Sequence, residues 1–231
     1  MLFRSNYVVA LTGDHGVPPI PEQLAALGID AGRLDSATVR LAAQQALEAA
    51  FGPGSYTVRS QYADQILEPA VVEKLRQNPV ALEQVLRALR SVPGVAGAYF
   101  GEHLDLHAAA GDYDARAALR SYYPGRSGDL VVVPKPYWFY VFADGTAQPG
   151  LATSHGSMYA YDQHVPLILF GAGIGPGEYL RTVTPADIAP TLAHLCGITL
   201  ARIDGEVLIE ALSPAADPPP PPARSAGAPK R

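Results

Sequence analysis

The stretch Tyr7-Val8-Val9-Ala10-Leu11-Thr12-Gly13-Asp14-His15-Gly16 constrains this chain more than any other. An apolar run without alternation reads as a short strand, Asn6–Thr12, buried on both faces as central parallel strands are. It runs straight into a carboxylate and an imidazole flanked by glycines. Both groups are costly to bury unless something pairs with them. Gly13 and Gly16 suit a tight turn at the strand's carboxyl end. In open α/β sheets that end is where ligands are held.

The rest of the chain supplies elements for such a sheet. Val17-Pro18-Pro19-Ile20-Pro21-Glu22 reads as an extended loop. Asp35 or Ser36 caps a helix that runs through Ala50 and is stopped by Gly52-Pro53-Gly54. Tyr56–Tyr62 and Val95–Phe100 read as strands. A helix over Pro79–Arg90 follows from Val80, Leu82, Val85, Leu86 and Leu89 at helical spacing. Asp112–Ser121 reads as a short helix. Strands are predicted at Asp129–Val133 and Tyr137–Phe142, split by Pro134-Lys135-Pro136, and at Val165–Phe170. Thr184, Pro185 and Asp187 open a helix that stops at Gly197. These elements predict an α/β fold with a largely parallel sheet and helices on both faces. The helix–strand–helix–strand succession over 34–125 predicts a small α+β insert, leaving 1–33 and 126–212 as the core. Residues 213–231 carry five consecutive prolines and read as a disordered tail or semi-rigid spacer.

Composition narrows the function. The formal net charge of −5 gives no basic character for nucleic acid or an anionic membrane surface. No stretch reaches the roughly 18–20 apolar residues of a membrane span. No small-residue cleavage site precedes Asp14, so no signal peptide is read here. The single cysteine, Cys196, excludes an internal disulfide and is expected to pack in the core near a helix end.

Three segments carry chemistry: Asp14-His15, Thr153-Ser154-His155-Gly156-Ser157, and Tyr161-Asp162-Gln163-His164-Val165-Pro166. Imidazole nitrogen and carboxylate oxygen are zinc ligands, and a catalytic zinc usually has three from the protein. Asp14, His15 and His155 are the right types, and the glycines beside them allow close backbone approach to a metal or an oxyanion. His103 and His107 have the spacing of two ligands on one helical face but read as a solvated loop. His194 reads as a surface or helix-end residue. Gly171–Gly177 fails the dinucleotide pattern and reads as a turn.

TGDHGVPPIPE, SGDLVVVPKPYWF at 127–139, ATSHGSMYAYDQHVPLILFGAGIGPGEY and VTPADIAPTLAHLCGI, in that order, resemble the alkaline phosphatase superfamily. The nearest branch is the bacterial alkaline phosphatases and related phosphodiesterases with a threonine nucleophile. The resemblance covers roughly residues 6–200. It implies an alkaline-phosphatase-like sheet and a centre of two zinc ions about 4 Å apart that clamps an in-line phosphoryl displacement. Asp14 and His15 match the ligands of the zinc that holds the nucleophile. His155 matches the histidine on the second zinc, and His164 a histidine that supports the site without ligating. In the family the nucleophile, an early aspartate and an Asp–His pair four residues apart precede the Asp-His motif. Residues 1–13 contain only Ser5 and Thr12 as hydroxyls and no such set. The chain therefore resembles a C-terminal portion with the N-terminal part of the domain missing and the nucleophile outside it. The implied function is zinc-dependent hydrolysis of small phosphate esters, monoesters favoured, in a periplasmic or secreted full-length protein. The isolated chain is expected to be inactive. A phosphodiesterase or nucleotide pyrophosphatase of the same superfamily, or a non-catalytic binding or assembly module, is the alternative.

Overall fold

A computed structural model describes residues 7–62, 64–141 and 151–213. Residues 214–231 of the predicted Pro-rich segment, Ser5, and Asn6 and Phe142 at the ends of predicted strands lie outside the described residues. The chain divides into two compact units: His15–Val165, and Met1–Asp14 together with Pro166–Arg231.

The larger unit is built on a four-stranded antiparallel sheet of β3 (Thr57–Gln61), β4 (Asp64–Leu67), β6 (Leu130–Pro134) and β5 (Val95–Phe100), in that spatial order. Helices cover both of its faces. On one side lie α2 (Ser36–Phe51), α3 (Pro69–Gln77) and α4 (Pro79–Arg90). Val39 and Leu47 of α2, Leu75 of α3 and Val85 and Leu89 of α4 are fully buried there with Leu130 and Val132. On the other side, Val131 and Val133 pack with Leu104 of α5 (Leu104–Ala109) and Ala115 of α6 (Tyr113–Leu119). The period-2 alternation of β6 thus sends successive residues into two cores. Full burial of each such side chain is worth about 1.5–3 kcal/mol.

Local signals explain the helix starts. The Asp35 carboxylate accepts from the Ala37 amide at 2.9 Å, Asn78 Oδ1 from Ala81 at 3.0 Å, and Asp112 Oδ1 from Ala115 at 3.1 Å. Pro69 and Pro79 stand in the first turns of their helices. Four predicted details need correcting. α1 (Pro21–Ala26) begins inside the segment read as a loop, because proline at the first helical position needs no amide partner. α3 is absent from the sequence reading, and in α4 it is Ala81 that faces the core while Val80 is 69% exposed. His103 and His107 sit in a helical stretch, residues 101–109, rather than a loop. Their rings pack edge-on against Phe100 at 5.1 Å and Tyr99 at 5.3 Å.

A second, two-stranded sheet in this unit pairs β2 (Gly32–Asp35) with β7 (Trp138–Val141) in parallel. The mixed α/β class holds, but among the described residues this is the only parallel pair. The expectation of a largely parallel sheet rested on continuous apolar runs. Such runs report burial on both faces, and antiparallel strands covered by helices on both sides meet that condition equally. β6, predicted to lie outside the 34–125 insert, is paired on both edges with strands of that segment.

In the smaller unit β1 (Val8–Thr12) pairs antiparallel with β8 (Leu167–Gly171), Ala10 opposite Leu169. The first reads as a buried strand and the second as a continuous apolar one. Instead they alternate, with Val9, Leu11, Ile168 and Phe170 46–60% exposed. A one-turn helix at Pro185–Asp187 leads into α8 (Ile188–Leu195), opened by a Thr184–Asp187 capping box. The buried Asp187 carboxylate accepts from the amides of Thr184 at 2.7 Å and Glu206 at 2.8 Å, and these bonds hold its pKa below the usual carboxylate range. Thr191 Oγ1 donates to the Asp187 carbonyl and accepts from the Leu208 amide. Cys196, expected in the core, is exposed, because α8 turns only Pro190, Thr191 and Ala193 inward. His194 is exposed on the same helix, as expected; of Gly171–Gly177, read as a turn, Ala172 and Gly173 form one, Gly171 ends β8 and Ile174 bridges Leu212.

Candidate metal centre

The short helix α7 (Ala160–Gln163) and the two loops around His15 and His155 assemble the site within the larger unit. The imidazoles of His15 and His155 stack with centroids 3.4 Å apart and planes 14° from parallel. His15 Nδ1 lies 2.8 Å from the carbonyl oxygen of Gly16. A carbonyl only accepts, so Nδ1 carries a proton, and Nε2 is the nitrogen that bears the lone pair in the matching tautomer. This is how metal-binding histidines are commonly oriented, with one nitrogen donating to a backbone carbonyl and the other ligating.

Both loops are tied to one residue. Asp162 is 5% exposed. Its carbonyl accepts from the Gly16 amide at 2.8 Å, and its Oδ2 accepts from the Ser157 amide at 2.7 Å. Asp162 Oδ1 is buried with no hydrogen-bond partner among the described residues. A further bond joins the loops directly: Thr153 Oγ1 donates to the Pro18 carbonyl at 2.8 Å. Upstream of His155, Arg33 of β2 donates to the carbonyls of Leu151 and Ala152 at 3.1 Å each. The same guanidinium pairs with Glu22 at 2.6 Å and lies 4.8 Å over the Phe139 ring. Gly16 is a glycine for a reason other than metal approach. A β-carbon there would come within 2.1 Å of the Tyr161 carbonyl oxygen. Gly156, beside His155, has φ +113°, which other residues rarely adopt.

Of the predicted ligands, the fold brings His15 and His155 together. Asp14 belongs to the smaller unit, where it is exposed just beyond the end of β1. His164 is exposed and ends α7, its amide donating to the Ala160 carbonyl at 2.8 Å. The residue of that run which bonds both histidine loops is Asp162. No group of three or more His, Cys, Asp or Glu side chains converges on a metal position among the described residues. The histidine pair nevertheless fits a two-ion centre. Imidazole lone pairs lie in the ring plane, so rings in parallel planes cannot converge on one ion at zinc–nitrogen distance. Parallel planes about one ring thickness apart suit two neighbouring ions, which such centres hold about 3.5–4 Å apart.

Asp162, Arg33 and Thr153 escaped the sequence reading. Arg33 and Thr153 act through backbone carbonyls distant in sequence, for which no local pattern exists. Asp162 lay inside a segment singled out for its chemistry, two residues before His164, but nothing in the sequence told its tethering role apart from that of the histidine.

Next to the His155 loop the larger unit holds a cavity of about 620 Å³. Gly156, Ser157 and Met158 form part of its wall, and Arg116, Arg120 and Arg126 line it from α6 and the segment beyond.

No protein-family model matches the sequence. Individual relatives do. The chain is 28% identical over 207 residues to a calcium-transporting ATPase of Myroides odoratus, covering 84% of this chain and 35% of that protein. It is 29% identical over 219 residues to the alkaline phosphatase PhoK of a Sphingomonas species, covering 88% and 38%. Its fold matches the crystal structure of the alkaline phosphatase PafA with a TM-score of 0.71 and 22% identity, over 90% of this chain and 38% of that one. The chain thus spans little more than a third of the length of the proteins it matches. Over most of its own length the chain is similar in sequence to alkaline phosphatases and shares the fold of one.

Proposed function

We propose that this chain is the part of a metal-dependent phosphate-ester hydrolase that presents one histidine to each ion of a two-metal centre. The observation that carries the reading is the stacked His15–His155 pair, with the proton of His15 fixed on Nδ1 by the Gly16 carbonyl. His15, with Asp14 beside it in sequence, would hold one ion, and His155 the other. Imidazole and carboxylate donors favour zinc. Bound metal ions in such centres polarise a phosphoryl oxygen and lower the pKa of bound water. The protein's own contribution is orientation. The Gly16 carbonyl sets the His15 tautomer, Asp162 holds both loops, and Arg33 with Thr153 fixes the approach to His155. Phosphate monoesters as substrates, and a periplasmic or secreted location for the full-length protein, rest on the superfamily. Among the described residues no helix is long and apolar enough to cross a membrane.

The test is a Co²⁺ titration of the chelator-stripped chain, followed by visible absorption. We expect His15→Ala and His155→Ala each to weaken the signal, and the isolated chain to hydrolyse p-nitrophenyl phosphate negligibly. Cobalt binding indifferent to both substitutions overturns the assignment of ligands. Strong hydrolysis by the isolated chain that is lost in His155→Ala overturns the expectation of inactivity.

A further inference from the structure

The chain as a whole is acidic, with a formal net charge of −5, yet the cavity beside the His155 loop carries three arginines against one carboxylate, Asp64. Arg116 and Arg120 lie four residues apart on α6 and its C-terminal cap, and so share a helix face. Arg126 joins them from the following segment, its guanidinium 5.7 Å from the Tyr123 ring centroid. Arg116 donates to the Gly111 carbonyl at 3.3 Å. None of the three has a carboxylate within 4.0 Å among the described residues. Arg33, Arg76, Arg90 and Arg181, by contrast, are each paired with a glutamate. Asp64 forms no ion pair with any of the three. Its Oδ1 is taken by the Val132 amide at 3.1 Å, and its side chain is largely buried against β6. Three arginines lining one cavity against a single carboxylate favour an anion, and their planar guanidinium forks suit phosphate or carboxylate.

Gly156 and Ser157 form part of the cavity wall, and Gly156 follows His155 directly in the chain. The cavity thus adjoins the histidine pair through the His155 loop, while neither His15 nor His155 is part of its wall. We infer that the cavity selects phosphate esters whose organic part carries a second anionic group, read by Arg116, Arg120 and Arg126. This rests on the proposed phosphate-ester function and names the substrate class of that site.

Three probes on one three-carbon skeleton test it: glycerol phosphate, phosphoglycerate, and bisphosphoglycerate. Binding is measured by calorimetric titration of the full chain in chelator-treated buffer at low salt, where no metal contributes. Phosphoglycerate or bisphosphoglycerate is expected to bind about tenfold tighter than glycerol phosphate, the scale of one charge-assisted contact. The better of the two identifies the second group as carboxylate or phosphate. The double variant Arg116→Gln/Arg120→Gln should remove this preference. Both side chains are exposed, and between them they give up only the Gly111 contact. Arg126→Gln, in the segment between α6 and β6, should reduce the preference as a second, independent variant. Equal binding of the three probes, or a preference that survives the double variant, overturns the inference. Because these titrations contain no metal, failure of the Co²⁺ assignment leaves their outcome untouched, so the two readings fall separately.

Discussion

Replacing Asp162 with alanine removes one hydrogen bond and leaves another, which makes it an informative perturbation. Oδ2 receives the Ser157 amide at 2.7 Å from a side chain that is 5% exposed. A bond to a buried charged acceptor is worth about 1.5–3 kcal/mol. The substitution also removes Oδ1, a buried oxygen without a partner among the described residues, and relief of that burial offsets part of the loss. The net cost is about 2 kcal/mol, which for a unit of this size lowers Tm by about 4–8 °C. The backbone carbonyl of residue 162 still accepts from Gly16, so the His15 loop stays anchored, while the His155 loop loses its tether at Ser157 and keeps the Thr153 and Arg33 bonds upstream of the histidine. Asp162→Asn keeps an oxygen for the Ser157 amide and should cost less than about 1 kcal/mol. The assays are a thermal melt and the nuclear Overhauser effect between the ring protons of His15 and His155. In Asp162→Ala the Overhauser contact should vanish, and in Asp162→Asn it should persist. An Asp162→Ala protein that melts with the wild type and keeps the ring contact would refute the reasoning.

Other expectations follow from packing and titration. Gly16→Ala places a β-carbon 2.1 Å from the Tyr161 carbonyl oxygen, and backbone cannot swing aside as a flexible side chain can. It should destabilise by about 1–3 kcal/mol or more and weaken cobalt binding, as read by melt and titration. Leu89→Ala, at a fully buried position of α4, should cost about 2–5 kcal/mol in a denaturant titration without altering cobalt affinity. Burial raises the Asp64 pKa to about 6, against the pull of the Val132 and Gly128 amides. The folded state therefore holds a proton that the unfolded chain loses near pH 4. The contribution of Asp64 to stability is largest below that pH and falls, by up to about 3 kcal/mol, as pH rises through about 6. Asp64→Asn should flatten this slope, measured as Tm against pH from 4 to 7.

Much of the larger unit was legible in the sequence. α4 and β5 have the predicted ends because Asn78-Pro79 announces the helix and Gly94 precedes the strand. α2 follows from Asp35 at its cap and Gly52 beyond its end. Strand direction was not legible, since an apolar run such as Leu130–Val133 looks the same in either orientation. The half-exposed state of Val9 and Phe170 was hidden for a related reason. Apolar residues occupied both faces of those strands, so no alternation marked the face left open. At the site, His15 and His155 stood out through their glycine-rich neighbours. Their supports did not, because Arg33 reaches 118 residues along the chain to the Leu151 carbonyl. A carbonyl carries no side-chain signature that a sequence could display.

The only tryptophan of the chain is Trp138, on β7. Its indole would meet a β-carbon at Gly94 at 2.2 Å and one at Gly32 at 2.7 Å, and its Nε1 donates to Asp30 at 3.0 Å. The two glycines form a slot for the ring beside the parallel pair that also carries Arg33. Emission on excitation of the indole therefore reports on residues 15–165 alone, while far-ultraviolet circular dichroism sums the helices of both units. Superimposing the two denaturation curves measures how far the units melt together, with no label attached to the protein.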